Sequence, residues 1–129
     1  MSRAIEVAKS AGIDVPIGCI ITFGNKVIAE AHNEVELRQD PTAHAELLCI
    51  QRACQKLSRR NLEECTLICT LEPCPMCAEA IALARISSVI FGAFANQASS
   101  FAVKCVGGVC ESICSALISD YFINIRKSR

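Results

Sequence analysis

The chain has 129 residues, thirteen basic and thirteen acidic side chains, 52% hydrophobic residues and only 5% aromatic ones. That is the length of one ordinary domain, residues 1–129, able to bury a core without disulfide staples. Zero net charge excludes a protein that holds nucleic acid mainly through overall positive charge, while leaving a local patch or a small nucleic-acid ligand open. No apolar run reaches the roughly 18–20 residues of a membrane span.

Ala4, Val7, Ala8 and Ala11 recur at helical spacing, with Arg3, Glu6, Lys9 and Ser10 opposite, so a first helix is expected, stopped by Gly12. Residues 1–9 contain no apolar signal-peptide region, and most of the ten cysteines (Cys19, Cys49, Cys54 and Cys69 among them) sit in apolar surroundings. Reduced thiols in a cytoplasmic protein are therefore expected. Residues 15–23 read as a buried strand, Gly24-Asn25 as a turn and residues 26–33 as the antiparallel return strand. The polar, proline-punctuated residues 34–41 read as a loop.

A second helix is expected from His44, with Thr42 as its cap. Leu47, Ile50, Cys54 and Leu57 form its apolar stripe, and Gln51, Arg52, Gln55 and Lys56 face away. Residues 65–70 read as a third strand. Pro73 and Pro75 mark a new helix start, since proline is tolerated in a first turn. Residues 88–92 read as a fourth strand, residues 93–102 show no pattern, and residues 103–106 are a candidate fifth strand. After Gly107-Gly108, Val109, Ile113, Leu117 and Tyr121 stripe a C-terminal helix. Helices interleaved with strands in one small domain give an α/β class.

Two clusters carry chemistry. Cys74 and Cys77, at i and i+3, are neighbours on one helix face, in a first turn whose free amides favour thiolate. His44 is a third ligand at another helix start. Three protein ligands leave a fourth metal position for water, the catalytic rather than the structural arrangement of zinc. Glu46 is then a proton carrier. On an ideal helix His44 and Glu46 point apart, so their convergence requires helix-end geometry. Alone, a C-x-x-C pair also serves as a structural half-site or redox pair, and a lone histidine as a cap. Together, H-x-E followed by P-C-x-x-C resembles the signature of the zinc nucleobase deaminases. Cys65 and Cys69, in a predicted strand, read as core. Cys105, Cys110 and Cys114 read as strand and helix packing.

The stretches VPIGCIIT (residues 15–22), DPTAHAE (40–46), TLEPCPMCA (70–78), ARISSVIFGA (84–93) and CSALISDYF (114–122) resemble the bacterial tRNA-specific adenosine deaminases, within the wider cytidine deaminase-like superfamily. The resemblance implies a three-layer α/β/α fold with a mixed, about five-stranded sheet. It implies a homodimer, one zinc ion per subunit, no organic cofactor, and conversion of adenosine to inosine at the wobble position in a tRNA anticodon loop. It assigns His44, Cys74 and Cys77 to zinc and Glu46 to proton transfer. Asn33 would contact the purine, and the Ala45 backbone would lie beside the flipped base. Water attacks C6 while Glu46 protonates N1 and the departing amine.

The chain departs from the family at Asn33-Glu34 (usually Asn-Arg), at Arg38-Gln39 (usually Arg-His) and at Glu79 (usually glycine). The largest departure follows Gly92-Ala93. There the family continues into a longer loop and a further helix on the RNA-facing side, whereas this chain reaches Val103 almost at once. A parallel crossover needs about ten to twelve residues. A parallel last strand is the expectation, an antiparallel return the alternative. Two other functions stay open: deamination of a free base or nucleoside of the guanine or cytosine kind, favoured by the short segment, and a non-catalytic zinc-fold subunit, opposed by Glu46. The basic residues 126–129 are read as a solvated helix end before a phosphate contact.

Overall fold

A computed structural model describes residues 1–96 and 101–127. The elements run α1 (Ser2–Lys9), β1 (Gly18–Phe23), β2 (Lys26–His32), α2 (Val35–Arg38), α3 (Ala45–Leu57), β3 (Cys65–Leu71), α4 (Pro75–Leu83), β4 (Ser88–Ala93), β5 (Lys104–Val106) and α5 (Glu111–Lys127). The five strands form one sheet in the order β2-β1-β3-β4-β5. β1 pairs antiparallel with β2 and β3, and β4 pairs parallel with β3 and β5, so the sheet is mixed and its last strand parallel, as expected.

Alternation along the strands sorts the core. Cys19, Ile21, Cys65, Leu67, Cys69, Val89 and Phe91 bury one face against Leu48, Cys49 and Ala53 of α3 and Ile81 of α4. Ile20 and Ile68 face Ala4 and Val7 of α1, while Ala93 meets Ile5 and Cys114 of α5. Small aliphatic and thiol side chains let these layers approach closely where aromatics are scarce. Two glycines set the closest approaches. A Cβ on Gly18 would overlap the Ala4 carbonyl and the Ala8 amide, and one on Gly92 would overlap the Cys114 sulfur. No two of the ten cysteines are joined by a disulfide. Among the described residues, no helix is long and apolar enough to cross a membrane.

The structure corrects the sequence reading at five points. β1 begins at Gly18, not at residue 15. Pro16 has no N–H to give a ladder, and Ile17 N–H turns back to the Val15 carbonyl at 2.8 Å. Residues 34–41 contain the helical turn α2, because the buried Asp14 carboxylate accepts the N–H groups of Glu36 (2.7 Å) and Leu37 (3.1 Å). That is an N-terminal cap delivered from a distant segment. The cap residue of α3 is His44, not Thr42. Thr42 instead closes on Asp40, whose Oδ1 accepts both its N–H and its hydroxyl.

The buried face of α3 is Ala45, Glu46, Leu48, Cys49 and Ala53, one residue around from the expected stripe. Leu47, Ile50, Cys54 and Leu57 are half-buried. Finally, α5 buries Cys114 rather than Ile113, which is 54% exposed. Of the patternless segment 93–102, residues 97–100 lie outside the described residues, as do 128–129 of the basic tail.

Candidate metal centre and base pocket

Two helices end on the same point. α3 and α4 lie on one face of the sheet, and each begins after a residue in extended conformation: His44 (φ −73°, ψ 148°) and Cys74 (φ −69°, ψ 170°). Neither caps its own helix with its side chain. Both side chains turn outward to meet. His44 Nδ1 lies 3.6 Å from the Cys74 sulfur and 3.6 Å from the Cys77 sulfur, and the three ligand atoms fall within 4.8 Å of one another. A tetrahedral ion with metal–nitrogen bonds of about 2.05 Å and metal–sulfur bonds of about 2.3 Å requires N···S separations near 3.6 Å. The triad therefore fits a zinc-sized ion without rearrangement. One imidazole and two thiols are also a borderline-soft donor set that suits such an ion. Burial, first, and the neighbouring Glu46 push the Cys77 thiol far above its ordinary range. A bound cation reverses that balance by stabilising the thiolate.

The question of His44 and Glu46 pointing apart is resolved by where the helix begins. His44 stands outside α3, so its extended backbone turns the imidazole towards Cys74, while Glu46 occupies the first helical turn. Glu46 is 5% exposed. Burial pushes its carboxyl above the usual carboxylate range, against the opposing pull of its own helix amide, of His44 and of Cys77. A carboxyl raised towards neutrality is suited to both accepting and donating a proton.

Beside the triad lies a cavity of about 270 Å³. Its lining comprises His44, Glu46 and Cys74 of the triad region (the floor) and Ile17, Asn33, Leu71, Glu72, Pro75, Ala95 and Asn96 (the rim). Asn33 is 8% exposed, and its Oδ1 accepts the N–H of Ala45 at 2.9 Å. That bond caps α3 from the end of β2 and fixes which end of the amide is committed. Ala45 is fully buried, and its N–H is taken up by Asn33. Glu34, next in the chain, is held by Arg38 Nε at 3.2 Å and Arg52 Nη2 at 3.0 Å, and its own N–H reaches the Ala43 carbonyl at 3.0 Å. Residues 33–34 are thus bonded to residues 43–45 and to mid-α3.

The structure brings His44, Cys74, Cys77, Glu46 and Asn33 together. Cys65 and Cys69 sit in the core, as read from their strand. Sequence reasoning missed Ile17, Leu71, Glu72, Ala95 and Asn96 as walls. The first three lie within the family-like stretches VPIGCIIT and TLEPCPMCA, which was the available signal. The last two lie in the stretch without periodicity.

The family described as MafB19-like deaminase matches residues 1–126. The chain is 39% identical over 145 residues to the tRNA-specific adenosine deaminase of Bacillus subtilis (strain 168), covering 100% of this chain and 90% of that protein. It is 42% identical over 96 residues to the guanine deaminase of the same organism, covering 72% of this chain and 62% of that one. A solved structure from studies of A-to-I editing by tRNA:A34 deaminases at the wobble position superimposes with a TM-score of 0.86 at 34% identity. That match covers 91% of this chain and 96% of the other.

Proposed function

Because the chain belongs to the MafB19-like deaminases and, within them, to the family of the tRNA-specific adenosine deaminases, we propose that it hydrolytically deaminates adenosine to inosine at the wobble position of tRNA. The observation that carries the reading is the 3.6 Å approach of His44 Nδ1 to both cysteine sulfurs with a buried carboxyl, Glu46, beside the same cavity.

His44, Cys74 and Cys77 would hold one zinc ion, which when bound supplies the Lewis acidity that makes water a nucleophile at neutral pH. Glu46 takes a proton from the attacking water and delivers it to N1 of the ring. It then takes the second proton from the C6 hydroxyl so formed and gives it to the amine leaving C6, so that water and adenosine become inosine and ammonia. Asn33 offers its uncommitted amide end to the purine, and the Ala45 backbone lies behind the base edge. The cavity is small for a ligand site, which suits one base turned out of an anticodon loop with its sugar left at the rim.

A single catalytic domain over residues 1–129, paired as a homodimer and working in the cytoplasm, completes the proposal. Ten cysteines without a disulfide support a reducing compartment. The deciding assay incubates the protein with an anticodon stem-loop carrying a wobble adenosine and, separately, with free adenine, guanine and cytosine. Inosine in the RNA is the expected result. Ammonia from a free base alone would transfer the assignment to free-base deamination. No turnover at full metal occupancy would make the chain a scaffold subunit. Sedimentation of the purified protein tests the dimer.

A further inference from the structure

The recognised centre leaves one acidic residue in the cavity unused. Glu72 sits between the end of β3 and Pro73-Cys74, so its backbone is tied directly to a ligand residue. Its N–H reaches the Ala93 carbonyl at 2.8 Å, extending the β3–β4 pairing one step beyond the strands. Its Oε1 accepts the N–H of Ala95 at 3.0 Å. Ala95 and Asn96 line the same cavity as Asn33 and Glu72. A further support of this stretch is the edge-to-face contact of Phe94 with Phe91, at 5.1 Å between ring centroids, although Phe94 is 57% exposed. A charge-assisted bond from a carboxylate to a backbone amide is stronger and more directional than such a ring contact.

We propose that Glu72 is a positioning residue: its carboxylate fixes the Ala95–Asn96 wall against the metal-ligand loop and so sets the width of the base pocket. Glu46 and Glu72 then divide the work of the cavity's two carboxyls. Glu46 is sealed beside the ligands and moves protons. Glu72 sits at the rim, half-buried, and holds backbone. Because Glu72 is joined through Pro73 to Cys74, the wall and the reacting centre move as one piece. A base held against that wall is therefore registered against the nucleophile.

The kinetic arm of the test rests on the deaminase reading, and the structural arm does not. Amide hydrogen exchange at Ala95 should accelerate at least tenfold in Glu72→Ala and stay near wild type in Glu72→Gln, which keeps an acceptor oxygen. With the anticodon stem-loop, Glu72→Ala should raise KM roughly tenfold, in line with the loss of one charge-assisted bond, while kcat and bound metal stay within about twofold. Glu72→Gln should restore KM. A double variant with Ala95→Pro, which removes the donor, should add nothing further, since both changes delete the same bond. Unchanged exchange at Ala95 in Glu72→Ala would overturn the proposal. So would a Gln variant as impaired as the Ala variant, or a fall in kcat with loss of metal. If the wild-type protein deaminates nothing, the functional reading fails, and the exchange measurement still decides the role of Glu72.

Discussion

The two sides of the cavity are built by opposite means. On the floor, His44, Glu46 and Cys74 stand, with the buried Cys77 behind them, at the starts of α3 and α4, and each lies within two or three residues of another member of the set. On the rim, Ile17, Asn33, Glu72 and Ala95 come from four separate places in the chain, joined by single hydrogen bonds such as Asn33 to Ala45 and Ala95 to Glu72. Beyond the rim, α5 buries only Cys114 and leaves Phe122 and Ile123 nearly half exposed. The triad and Glu46 therefore rest on helix starts, while the rest of the lining rests on long-range contacts. Under the proposed function, change in the rim should alter what is held, and change in the floor whether anything reacts.

That contrast can be broken most directly at the floor. Glu46→Ala should retain metal, by elemental analysis, and lose roughly 10²–10⁴-fold in kcat, the usual share of a proton-transfer group. Retained turnover would remove Glu46 from the reaction. Cys74→Ala should abolish stoichiometric metal binding. Wild-type melting temperature should then fall on adding chelator while that of the variant does not respond. An equal response in both would show that the triad does not hold the ion.

Intermediate effects belong to the supports. Gly92→Ala sets a Cβ into the Cys114 side chain and 2.8 Å from the Thr70 carbonyl. It should destabilise by about 1–3 kcal/mol in urea unfolding, as overpacking does. Wild-type stability in that variant would mean that α5 is not seated as described.

The Glu34 cluster offers a pH signature. Burial alone would raise the Glu34 carboxyl, but the Arg38 and Arg52 guanidiniums outweigh it and hold it below the ordinary range. A carboxyl depressed in the folded state stabilises above its unfolded pKa, and that contribution disappears as pH falls through the folded value. The stability gap between wild type and Glu34→Gln, about 1 kcal/mol because both arginines are partly exposed, should be present at pH 7 and shrink away as pH falls below the ordinary glutamate range. A gap that grows in acid would reverse the assignment. The smallest effect is expected beyond the rim. Phe122→Ser should change stability by no more than about 0.5 kcal/mol, and a larger loss would show a buried role for α5.

The same contrast explains what the sequence revealed. The convergence of His44, Cys74 and Cys77 beside Glu46 was legible because it is encoded locally: two short spacings and two proline-marked or polar helix starts. The strands were legible as apolar runs, and the parallel last strand was expected although its connection barely reaches the length a crossover needs. The helical turn α2 was not legible, since its cap, Asp14, lies 22 residues before the amide it holds. The buried face of α3 was misplaced by one position because small residues, Ala45, Cys49 and Ala53, pack inward while larger Leu47 and Leu57 stay at the margin. Hydrophobicity ranks leucine above alanine, but close helix–sheet approach selects for size. Glu72 escaped notice because a carboxylate beside a motif carries no periodic signal, and its partner, Ala95, lies in a stretch without any.

The way His44 and Cys74 leave their own helices has a thermodynamic consequence. Each would ordinarily terminate one helix, yet both side chains point to a shared centre. An ion bound there acts as a common keystone for two otherwise independent segments, so its dissociation loosens α3 and α4 together. Local opening in this region should then be a single cooperative event, governed by the free metal concentration rather than by two separate fraying equilibria.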